Sequence, residues 1–119
     1  MKKLKSKVIY HGGTIAVPSS LQKGIIELTE GVFHFRASGK SAKHDIHMSI
    51  PVDRIESARA EERKYYSSVG YFLVLEFLDQ EGKKQALELE IRSFVRRGRA
   101  QAISRLWAET VSHTTKRSR

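Results

Sequence analysis

Gly24-Ile25-Ile26-Glu27-Leu28-Thr29-Glu30-Gly31-Val32-Phe33-His34-Phe35-Arg36 decides the fold. Its apolar residues recur at every second position: Ile26 and Leu28 before Glu30-Gly31, Phe33 and Phe35 after it. Period two marks a strand with one buried face. Glu30-Gly31 supplies a two-residue hairpin turn, with glycine where a positive φ is needed. With that turn as the loop, Leu28 faces Phe33 and Ile26 faces Phe35, so register and pattern agree.

Downstream, Ile46, Met48 and Ile50 alternate with Asp45, His47 and Ser49 after the polar loop 38–44. Pairing Phe33 with Met48 and Phe35 with Ile46 extends the apolar face. The same pairing sets His34 opposite His47 and Arg36 opposite Asp45. Pro51 closes that strand. Residues 56–70 are highly charged with a poor apolar stripe, and read as a strand end followed by an exposed loop. Tyr71 to Leu78 is the strongest strand, and Asp79 to Lys83 is a hairpin loop. Leu87, Leu89 and Ile91 then point inward, with Glu88 and Glu90 outward. Upstream, Val8 to Val17 reads as a first strand bent at His11-Gly12-Gly13, not as an export signal.

Near residue 93 the period changes. Ala100, Ile103, Leu106, Trp107 and Val111 fall at helical spacing, with Ser93 a candidate N-cap. The expectation is a mainly β (α+β) fold. Six to seven antiparallel strands curl into a sandwich or partly open barrel, capped by one C-terminal helix whose Trp107 face plugs one end. A basic arm at 1–7, one domain at 8–112 and a basic, flexible tail at 113–119 complete the plan.

Composition bounds the function. The chain has 119 residues, 39% of them hydrophobic, and no cysteine. That suits one domain with a real core and removes disulfides, cysteine nucleophiles and thiolate metal sites. No apolar run approaches the roughly 20 residues of a membrane-spanning helix. The net charge is +9, and it is uneven. Residues 1–23 hold five lysines and no acid, and residues 92–119 hold eight bases and only Glu109. Residues 24–91 hold nine bases against twelve acids. Basic ends suit anionic partners: lipid headgroups, nucleic acid or an acidic protein.

The strand order and two motifs resemble the pleckstrin-homology superfold, and within it the GRAM-like and bacterial PH-like domains. Gly24 to Phe35 looks like that family's G-x-L-x-L-T-x-x-x-L-x-F hairpin. Ser49-Ile50-Pro51-Val52-Asp53-Arg54-Ile55-Glu56-Ser57 looks like its I-P-L-x-x-I-x-S strand and corner, and the helix bearing Trp107 is in the expected place. The resemblance covers about residues 8–112. It implies a non-enzymatic binding module, without cofactor, for anionic lipids or protein partners, copies of itself included. Lipid-binding relatives carry a basic cluster between the first two strands. Here Pro18-Ser19-Ser20-Leu21-Gln22-Lys23-Gly24-Ile25 holds only Lys23. The resemblance therefore implies diffuse electrostatic or protein binding in place of a dedicated inositide pocket.

No other chemistry is favoured. There is no G-x-S-x-G elbow, P-loop or G-x-G-x-x-G. His34, His44, Asp45 and His47 offer imidazole and carboxylate, but at no recognised ligand spacing, so no metal is expected. Contacts with an anionic ligand or partner are expected at Lys40, Lys43 and His44 in the central loop. The long loop adds Arg63, Lys64, Tyr65 and Tyr66, and the helix start adds Arg96, Arg97 and Arg99. Lys2, Lys3, Lys5 and Lys7 together would add only ~4 kcal/mol at an anionic membrane. A small nucleic-acid-binding domain using the Arg-rich helix and basic ends is the alternative. The expected location is cytoplasmic, peripheral at a membrane.

Overall fold

The computed structural model describes residues 4–13, 22–38, 45–65, 68–92 and 97–118. Among the described residues seven strands precede one helix: β1 Leu4–Gly13, β2 Gln22–Thr29, β3 Val32–Ala37, β4 Ile46–Pro51, β5 Ile55–Tyr65, β6 Ser68–Leu78, β7 Lys84–Ile91 and α1 Arg97–Ser118. A 3-10 turn, Val52–Arg54, joins β4 to β5. The strands form one antiparallel sheet in the order β4-β3-β2-β1-β7-β6-β5. β4 and β5 are its two edges, so the sheet stays open. Its two arms nonetheless share one core, which joins Phe33, Phe35 and Ile50 to Leu73, Leu75 and Leu89. The result is a curved, mostly β shell capped by a helix.

The deciding hairpin is as its pattern requires. Leu28 pairs with Phe33 and Ile26 with Phe35. Glu30 (φ 52°) and Gly31 (φ 76°) both occupy the left-handed region, the requirement of a type I′ turn. All four paired side chains are buried.

The next hairpin differs from expectation by two residues. Phe33 pairs with Ile50, His34 with Ser49, Phe35 with Met48 and Arg36 with His47. A slide of two keeps every side chain on its own face, so alternation cannot choose between the two registers. The choice is made at the far end. There Val32 pairs with Pro51, and the Val52 N–H donates to the Gly31 carbonyl at 3.0 Å.

The charged stretch after Ile55 is not a loop but an eleven-residue strand. β5 pairs with β6 from Ile55 opposite Phe77 to Tyr65 opposite Ser68. Its charges are used on the outer face, where Arg59, Glu61 and Arg63 pair with one another and with β6 and β7. Its inner face borrows apolar cover from α1, and Ser112 Oγ donates to the Ala58 carbonyl at 3.3 Å. A strand covered by a helix needs no apolar stripe of its own.

Both ends also depart from the expected plan. Leu4 to Lys7 are part of β1, paired with β2, instead of forming a separate arm. The bend at His11-Gly12-Gly13 is a register shift in the β1–β7 pairing. α1 continues through Ser118, and Thr115 Oγ1 donates to the Val52 carbonyl at 3.3 Å, so residues 113–118 extend the helix. Ser93 lies outside the described residues. Ala100, Ser104, Trp107, Ala108, Val111 and Thr115 face inward, and Leu106 does not, being 48% exposed. Trp107 sets the rotation of the helix. At about 100° per residue the inward set centres between Trp107 and Ala108, which turns Leu106 to the far side. Trp107 itself is fully buried, edge-on to Phe33 at 5.7 Å between ring centroids.

Candidate anion-binding cleft

The outer face of the sheet has two halves of different character. On β5, β6 and β7 the charges are paired. Arg59 bonds Glu76 at 2.7 Å and Glu61 at 3.3 Å, Arg63 bonds Glu61 at 2.8 Å and also Glu88, and Lys84 lies 3.8 Å from both Glu56 and Glu76. Beneath this lattice lie the buried Phe72 and Val74. The Arg63 guanidinium sits 4.4 Å over the Phe72 ring, and His11, bonded to Glu90 at 2.9 Å, meets the same ring edge-on. The hydrogen bond from Arg63 holds Glu61 below its ordinary range, and the bond from Arg59 does the same for Glu76. This half is an internally neutralised surface.

On β1 to β4 the outer face is basic. Strand pairing lines up Lys7, Ile25, Arg36 and His47 in one row across four strands, with Ile9 and Lys23 in the next. Two backbone bonds bring in the rest. Ser38 N–H donates to the Lys23 carbonyl at 3.4 Å, and Arg92 N–H donates to the Lys7 carbonyl at 3.0 Å. The second bond carries the end of β7 beside β1. Together Lys7, Lys23, Ile25, Arg36, Ser38 and Arg92, with Val8 and Gly24, line a cleft of about 490 Å³. Among the described residues four cations and no acid line it, and the exposed surface within it is mainly apolar.

Gly24 is required by the approach of β2 to β3. A Cβ there would stand 2.5 Å from the Arg36 carbonyl oxygen and 2.9 Å from the Phe35 ring. The glycine thus lets the two strands that carry Lys23 and Arg36 close together.

Of the ten residues expected as contacts, Arg63, Lys64 and Arg99 have described side chains. Lys40, Lys43, His44, Tyr66 and Arg96 lie outside the described residues. Tyr65 ends β5 and Arg97 begins α1, and their side chains are likewise outside. Lys64 is exposed on β5 and Arg99 is exposed on the first turn of α1. Arg63 is engaged within the molecule. His34 bonds Ser49 Oγ at 2.9 Å and is not opposite His47, and Arg36 is opposite His47 instead of Asp45. Among the described residues no group of three His, Cys, Asp or Glu is placed to hold a metal ion. No described helix is long and apolar enough to cross a membrane.

The cleft itself was not anticipated. Lys23 was visible as a lone base, and outward-pointing Arg36 follows from the hairpin. Lys7 comes beside them through the β1–β2 pairing, and Arg92 needs the β1–β7 pairing, which joins Val8 to Ile91 across more than eighty residues and leaves no local signal. Comparison with protein-family models, curated proteins and solved structures finds no match to this chain.

Proposed function

We propose that this chain is a non-enzymatic, PH/GRAM-like binding module that attaches reversibly to an anionic membrane surface through the Lys7–Lys23–Arg36–Arg92 cleft. The observation that carries the reading is the separation of charge on one sheet. On the outer face of β5 to β7 the bases Arg59, Arg63 and Lys84 lie among acids, while Lys7, Lys23, Arg36 and Arg92 gather around one cleft whose described lining is basic and apolar. A cation near an anionic lipid surface contributes ~1 kcal/mol, so the four give roughly 4 kcal/mol before any contact from the Ile25 side chain. Attachment of this strength is reversible and weakens with salt. The apolar floor favours lipid over nucleic acid, because single-stranded readout calls for exposed aromatics among the bases. A cytoplasmic, peripheral location is part of the proposal.

Co-sedimentation with phosphatidylglycerol-containing and neutral vesicles, beside a nucleic-acid shift assay at two salt concentrations, tests it. Binding to the anionic vesicles alone supports the membrane reading. Binding to nucleic acid alone supports the alternative that uses Arg99 and Arg105. Binding to neither, with a stable oligomer by light scattering, moves the function to self-assembly.

A further inference from the structure

A second depression adjoins the basic cleft and shares two of its residues. Ile25, Glu27, His34, Arg36 and His47 line this space of about 260 Å³, so Ile25 and Arg36 form the boundary between the two. Two of the five histidines of the chain thus stand beside the basic cleft. Histidine is the side chain that changes charge between about pH 5 and 8 without a special environment. We propose that His34 and His47 make attachment at the cleft acid-strengthened, so that an anionic lipid surface is held more tightly as pH falls through that window. The inference rests on the cleft being the attachment site.

The surroundings of the two imidazoles mix acids and bases. His47 is exposed on the edge strand, opposite Arg36 on β3 and two residues from Asp45 on its own strand. His34 faces Glu27 on β2 and Ser49 on β4, with Lys5 on β1 beyond Glu27. The contact between His34 Nδ1 and Ser49 Oγ does not lock one state, because a hydroxyl both donates and accepts. Glu27 and Asp45 are the acids facing the pair and Arg36 and Lys5 the bases. Protonation therefore turns a locally balanced rim into a positive continuation of the cleft. His11 is different, since it is bonded to Glu90 on the neutralised half of the sheet.

A cation near an anionic surface is worth about fivefold in affinity. Allowing for partial protonation at each end of the window, the pair should give roughly tenfold tighter binding at about pH 5.5 than at about pH 7.5. The probe is a phosphatidylglycerol–phosphatidylcholine vesicle, whose lipid phosphates stay ionised throughout. The wild-type chain, His34→Gln/His47→Gln and His113→Gln are compared at both pH values and one ionic strength. Expected are a roughly tenfold response in wild type and His113→Gln, and less than about twofold in the double variant. Wild type binding equally at both pH values, or a double variant that keeps the full response, overturns the histidine role and leaves the cleft standing. Failure of wild type to bind at either pH overturns both.

Discussion

The indole N–H of Trp107 donates a hydrogen bond to Ser6 Oγ at 2.8 Å, tying the middle of the C-terminal helix to the first strand. The bond crosses a hundred residues of chain and lies beside Lys7, the first base of the cleft. Trp107 is fully buried, so its N–H has no access to water if Ser6 is changed. Ser6→Ala should therefore lower stability by about 1–3 kcal/mol, the cost of an unsatisfied buried donor. Trp107→Ala should lower it by about 3–5 kcal/mol. Urea titration followed by circular dichroism reads both. A Ser6→Ala variant as stable as wild type would mean that the indole is not held as described.

Gly24→Ala should destabilise the fold by about 1–3 kcal/mol, as overpacking does. The added methyl meets backbone, the Arg36 carbonyl at 2.5 Å, which cannot swing aside as a side-chain tip can. Because β2 and β3 carry Lys23 and Arg36, vesicle binding should weaken in the same variant. A shift in thermal midpoint beside a sedimentation assay checks both effects.

Arg63→Ala separates structure from attachment. Its guanidinium covers Phe72 and pairs with Glu61 and Glu88. Partly exposed contacts of this kind sum to about 1 kcal/mol. The variant should lose about that much stability and bind anionic vesicles as wild type does. Loss of binding at unchanged stability would place the attachment surface on β5 instead.

Acid should loosen the fold through the paired carboxyls. Hydrogen bonds from Arg63 to Glu61 and from Arg59 to Glu76 hold both acids below their ordinary value of 4.5. Asp79 is held below 3.8, first by the Gln85 side chain and then by the Lys83 backbone N–H. The unfolded chain therefore takes up these protons at higher pH than the native chain does. Their stabilisation is complete above the ordinary values and drains away as pH falls through the lowered native ones. Thermal melts at a series of pH values below about 5 should show this decline, and Glu61→Gln/Glu76→Gln should flatten it.

Much of this fold was legible because alternation is local. Leu28 and Phe33 reveal their pairing within six residues of chain, and Trp107 announces the buried face of its helix. What alternation cannot carry is a shift by an even number of residues, and this is where the Phe33–Ile50 pairing was missed. Nor can it show a strand such as β5, whose inner face is covered by a distant helix and whose outer face is a lattice of ion pairs. The cleft was hidden for a related reason. Lys7 and Arg92 are neighbours only through a backbone bond between the first and last strands, and no spacing in the sequence encodes it.

The most direct test reverses charge inside the cleft without touching the core. Lys23→Glu/Arg36→Glu replaces two outward bases, and its binding to phosphatidylglycerol vesicles is measured by co-sedimentation against wild type. The account predicts salt-sensitive binding by wild type and at least a tenfold loss in the double variant, both chains melting alike. Equal binding by the two chains would contradict it.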